Sequence, residues 1–137
     1  QVADNCIDKV GLYMTVDTLE YLHRGGRIGG ARKLLGTALN IKPILTVTEG
    51  IVQEGGKVRT RKKALRQVVD NVAHHVKGKP RLRLAVLHAA APEDAVYLLD
   101  MAVERLRPSE THIAELSPVV GAHVGPGTVG IAWSVET

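Results

Sequence analysis

The chain reads as an α/β domain: a two-layer-type sandwich, with a mixed sheet of about six strands and helices packed on it. Three observations predict this. Segments 61–77 and 92–106 carry apolar residues at the i, i+3, i+4 spacing of amphipathic helices. Short β-type runs lie before, between and after them, so strands and helices alternate along the chain. The 137 residues are 45% apolar, enough for one core in one domain of ordinary composition.

The elements follow in order. Val10 to Val16 reads as a buried strand. Asp17 is placed to cap a short helix, with Glu20 three residues on as in a capping box and Val16 set to staple onto Tyr21. Gly25-Gly26 ends it. A second helix is expected over Ala31, Leu34, Leu35, Ala38 and Leu39, stopping at Asn40. Ile41–Thr48 and Ile51–Val58 flank a Glu49-Gly50 turn and read as a hairpin, with Gly55-Gly56 as a bulge in its second strand. Helix 61–77 presents Leu65, Val68, Val69, Val72 and Val76 on one face, and Gly78-Lys79-Pro80 stops it. Leu82–His88 is the next strand. Pro92 opens a helix whose stripe is Ala95, Leu98, Leu99, Ala102 and Leu106. Thr111–Leu116 and Thr128–Val135 are the last two strands.

Composition narrows the function classes. No apolar run approaches the length of a transmembrane span. Gln1-Val2-Ala3-Asp4 does not read as a signal peptide. Cys6 is the lone cysteine, so no intrachain disulfide is expected, and a reduced cytoplasmic protein is the natural reading. A net charge of +4 admits a nucleic-acid partner, but three Tyr, one Trp and no Phe supply few stacking platforms for single strands. No nucleic-acid partner is expected. A chain without Phe lines its pockets with Leu, Ile, Val and Ala, which suits an aliphatic ligand.

Three places could carry chemistry. Gly121-Ala122-His123-Val124-Gly125-Pro126-Gly127 frames a single titratable side chain with glycines and a proline that shape the backbone. His123 there is either a histidine of a strand connection satisfied by backbone carbonyls, or a donor to a ligand oxygen. Arg24-Gly25-Gly26-Arg27-Ile28-Gly29-Gly30 is either a tight turn with solvated arginines or an anion cradle before a helix. Lys57-Val58-Arg59-Thr60-Arg61-Lys62-Lys63 holds five cations at a helix start, where Thr60 is placed to cap. Positive charge opposes the helix dipole there, so the segment is a solvated face or a docking surface for an acidic or phosphorylated partner. The remaining histidines lack metal-ligand spacing: His74 and His75 are adjacent and diverge on a helix. No metal and no cofactor are expected, and no GxSxG elbow or Walker loop is present.

Several of these blocks together resemble the bacterial DegV family. Val16-Asp17-Thr18-Leu19-Glu20-Tyr21-Leu22 followed by Gly25-Gly26-Arg27-Ile28 is similar to its "DTLEYL…GGRI" segment. Leu39 to Leu45, Val58 to Leu65 and Glu115 to Gly127 resemble three further blocks in the family's order. The resemblance implies a non-enzymatic carrier of two α/β domains. It holds a long-chain fatty acid in a tunnel, with the carboxylate near the domain interface, and presents it to a separate fatty acid kinase. By the same resemblance His123 and Arg27 bind the head group, Gly25, Gly26, Gly121, Gly125 and Gly127 support their loops, and Arg59 or Arg61 faces the kinase. Residues 1–9 would then end a preceding helix or linker, and 10–137 would be the C-terminal lipid-binding domain, with the N-terminal domain absent from this chain. Two alternatives stand beside this: an enzyme domain acting on phosphorylated small metabolites through the glycine- and arginine-rich loop, and a nucleic-acid-binding module.

Overall fold

A computed structural model describes residues 9–36 and 41–136. Six strands form one sheet: β1 (Lys9–Thr15), β2 (Lys42–Thr48), β3 (Ile51–Val58), β4 (Arg83–His88), β5 (Glu110–Glu115) and β6 (Val129–Val135). Their order is β3-β2-β1-β6-β4-β5. Every neighbouring pair is antiparallel except β4 and β5, which run parallel. The helices are α1 (Glu20–Arg24), a 3-10 helix (Gly29–Leu34), α2 (Arg61–Val76), α3 (Pro92–Leu106) and α4 (Pro118–Val124). The predicted α/β fold with a mixed six-stranded sheet is therefore observed.

Side-chain alternation divides the core between two faces. Ile44 packs with Leu65, Val68, Leu98 and Ile131 beneath α2 and α3. Its neighbour Leu45 points the other way and packs with Met14, Leu22, Ile28 and Val124. Helices thus pack on both faces of the sheet, α2 and α3 on one and the shorter helices on part of the other. The predicted stripe of α2 is buried throughout, and Ala95, Leu98 and Ala102 of α3 are buried. Thr60 caps α2 as expected, its hydroxyl accepting from Lys63 N at 3.1 Å.

The hairpin and its bulge are also present. Ile44 pairs with Gly56 and Leu45 with Glu54, so Gly55 is the extra residue. Asn71 Nδ2 donates to the Gly55 carbonyl at 2.9 Å, tying the bulge to α2.

Three expectations are corrected. Asp17 does not cap α1. The helix begins at Glu20, whose N–H donates to Thr18 Oγ at 3.2 Å, while Asp17 pairs with Lys42 at 3.6 Å. A nearer hydroxyl and a cation from β2 compete for the two groups a capping box needs. Of the expected helix over 31–39, the described part is a 3-10 turn ending at Leu34, and Leu35 is 41% exposed. Gly29 and Gly30 hold that turn against β3: a Cβ at Gly29 would lie 2.6 Å from the Val52 carbonyl. Ala38, Leu39 and Asn40 lie outside the described residues, as do residues 1–8 of the predicted linker; Lys9 belongs to β1. Third, the segment before β6 is no simple strand connection, because α4 lies within it.

Candidate functional site

The second face of the sheet is only partly covered, and a pocket of about 240 Å³ opens there. Leu12 and Met14 of β1, Val47 of β2, Val52 of β3 and Leu87 of β4 line its floor. Leu22 of α1 and Val120 and Val124 of α4 form part of its wall. Alternation explains the floor: each of these strand residues faces away from the α2–α3 layer. Among the lining side chains only Arg27, His123 and Thr128 carry polar atoms. Such a lining, apolar with a few convergent polar groups, is what a small-molecule site requires.

His123 sits in the last turn of α4, half-buried. The frame read from the sequence is therefore part helix and part loop. Gly121 is helical, its N–H donating to the Ser117 carbonyl at 2.8 Å. Gly125 and Gly127 do leave ordinary space, with φ of +88° and +90°. Ser117 and Pro118 start α4, the serine hydroxyl accepting from Val120 N at 3.3 Å. A Ser-Pro start and a glycine stop are the sequence signals that mark this helix.

The two glycine segments, remote in sequence, interlock. A Cβ at Gly25 would lie 2.9 Å from His123 Nδ1, and a Cβ at Gly125 would overlap the Tyr21 ring. Bare backbone on each side lets α1 and α4 approach closely enough to bring Arg27 and His123 to one pocket. Gly26, by contrast, meets nothing nearby and serves the turn, at φ +71°. Arg27 is exposed and its backbone N–H closes the end of α1 on the Leu22 carbonyl at 2.9 Å. Arg24 is turned away, paired with Glu20 and lying 6.0 Å from the Tyr21 ring centroid. The loop's two arginines do not converge on one anion.

Thr128 is the pocket residue that sequence reasoning overlooked. It is buried, and its hydroxyl reaches the Val124 and Gly125 carbonyls at 3.1 and 2.9 Å, satisfying orphan acceptors at the end of α4. The only available signal was its place directly after Gly127. His88 is buried at the end of β4, where its Nδ1 accepts from Ala91 N at 3.1 Å.

Of the basic segment, Lys57, Arg59, Lys62 and Lys63 are exposed. Arg61 is drawn inward to Asp94 of α3 and to the Gly127 carbonyl. No described helix is long and apolar enough to cross a membrane, and no group of metal-ligating residues is found among the described residues.

Known proteins match this chain throughout. The family model described as an uncharacterised protein of the DegV family matches residues 1–136. A DegV domain-containing protein of Streptomyces coelicolor is 42% identical over 123 residues, covering 89% of this chain and 43% of that protein. A DegV family protein from Thermus thermophilus, described for its fatty acid binding, superposes with a TM-score of 0.88 at 35% identity, over 94% of this chain and 46% of that one. DegV from Bacillus subtilis, described as a fatty acid binding protein, superposes at 0.76 and 32% identity, over 92% and 45%. The chain thus spans about half the length of the relatives it matches. With the family model covering nearly every residue, this chain belongs to the DegV family.

Proposed function

We propose that this chain is the C-terminal half of a carrier that binds a long-chain fatty acid. The acyl chain lies in the apolar pocket, with His123 and Arg27 at the carboxylate. One observation carries this: among the side chains around an otherwise aliphatic cavity, the two basic ones are His123 and Arg27. Burying methylenes favours binding by about 0.8 kcal/mol each, so a saturated tail supplies most of the affinity. The carboxylate then needs only orientation, which charge-assisted hydrogen bonds provide. The description of relatives as fatty-acid-binding proteins supports the same ligand class.

The pocket of about 240 Å³ lies below the roughly 300–1,000 Å³ common for whole ligand sites. An N-terminal domain closes over it and supplies further head-group contacts, in this reading. The exposed cations around Arg59 face a partner kinase that would phosphorylate the carboxyl group, so the carrier itself performs no chemistry. The reading that routes a phosphorylated metabolite through the 24–30 loop is not favoured, since Arg24 pairs with Glu20 and only Arg27 lines the pocket.

Mass spectrometry of lipid extracted from the purified full chain tests the proposal. Fatty acid in near one-to-one amount is expected, with His123→Ala weakening fatty acid binding. Absence of acyl lipid, together with unchanged binding in His123→Ala, overturns it.

A further inference from the structure

Arg61 opens α2, on the face of the sheet opposite α4. Its Nε and Nη2 lie 3.0 and 2.9 Å from the same Asp94 oxygen, in the first turn of α3. Nη2 also donates to the Gly127 carbonyl, and Nη1 is buried without a hydrogen bond. The side chain keeps only 25% of its surface exposed. A cation that the sequence placed on a docking face is therefore withdrawn into the fold.

What it grips matters. Gly127 follows α4 at φ +90° and donates to the Ala89 carbonyl at 2.7 Å. Next to it, Thr128 holds the carbonyls of Val124 and Gly125. The segment 124–128 is thus pinned from within by Thr128 and from outside by Arg61. A guanidinium is a rigid planar fork, so it fixes the distance between Asp94 and the Gly127 carbonyl, which an ammonium on a flexible stem would not. His123 immediately precedes this segment and turns with the end of α4.

We infer that Arg61 is a positioning residue for the ligand head group: by tying the loop after α4 to Asp94, it sets the place of His123 at the pocket. The inference rests on the fatty-acid reading above and adds to it a residue that touches no ligand. It also divides the basic segment, leaving Arg59 and the lysines as its outward part.

The test compares palmitate with cetyl alcohol, which has the same chain length and no carboxylate, in competition with a fluorescent fatty acid on the full chain. Arg61→Met is expected to weaken palmitate about tenfold while cetyl alcohol changes less than about twofold, the scale expected when charge-assisted hydrogen bonds are lost. Arg61→Lys, which keeps the charge without the fork, should recover only part of the preference. Asp94→Asn should shift the ratio in the same direction and serves if Arg61→Met does not fold. A parallel loss for both ligands, or an unchanged ratio in a folded variant, overturns the inference. Failure of the parent protein to prefer palmitate would instead overturn the fatty-acid reading.

Discussion

Gly25 and His123 are in direct apposition: a Cβ on Gly25 would lie 2.9 Å from the imidazole Nδ1. A turn between two helical segments thus limits where a side chain nearly 100 residues away can stand. The contact is backbone against ring, so it depends on what Gly25 lacks. Its φ is −80°, open to any residue, which separates the steric effect from backbone strain.

Gly25→Val should therefore move the imidazole without unfolding the domain. We expect palmitate affinity to fall about tenfold, the cost of one misplaced charge-assisted bond, with a change in melting temperature of a few degrees at most. Calorimetric titration and the imidazole resonances of His123 would check this. Normal affinity with an unmoved ring would show that the apposition is incidental.

The pocket itself can be filled. Val47 lies on its floor, half-buried. Val47→Trp should exclude lipid from the purified protein, with overpacking costing about 1–3 kcal/mol of stability. Lipid analysis beside urea unfolding measures both. Full lipid content in a folded Val47→Trp protein would place the acyl chain elsewhere.

Much of this was legible in the sequence because the long elements repeat one message. Helix α2 announces itself by five apolar residues on one face, a threonine cap and a glycine stop, and local preference agrees with packing. The Gly55 bulge was legible for the same reason. The short elements were not. In α1, the Thr18 hydroxyl takes the Glu20 N–H while Asp17 faces Lys42 of β2, and that second, tertiary contact leaves no trace in the local sequence. Helix α4 was hidden by the glycines that make the site, since Gly121 lowers helical preference while Gly125 ends it. His123 and Arg27 could be named from family blocks, but their meeting depends on the Gly25 and Gly125 contacts, which no periodicity encodes. Arg61 reads as one more exposed cation until Asp94 and Gly127 are placed beside it.

The two faces of the sheet should respond separately. Leu98 of α3 is fully buried against the sheet, on the face away from the pocket. Leu98→Ala should cost about 2–5 kcal/mol in urea unfolding, through lost transfer energy and a residual cavity. Lipid content of the folded fraction should be unchanged, because the pocket is built by the opposite side chains of the same strands. A selective loss of lipid from a still stable variant would contradict this separation.

Tyr13 gives the domain an alkaline signature. Its ring stacks on Trp133 at 5.7 Å between centroids, and its hydroxyl meets His75 Nε2 at 2.8 Å. Burial disfavours the phenolate and raises the pKa above the ordinary 10.0. The unfolded chain therefore releases this proton first as pH rises. Its contribution to stability is complete below pH 10.0 and is lost between 10.0 and the raised native value. Tyr13→Phe has no proton to lose there. The stability difference between the parent and Tyr13→Phe, followed by urea unfolding across this window, should narrow or reverse as pH rises, since only the parent is penalised. A difference that stays constant through the window would mean that the native and unfolded chains ionise alike at this site, and that the desolvation of the Tyr13 hydroxyl beside Trp133 and His75 has no energetic consequence.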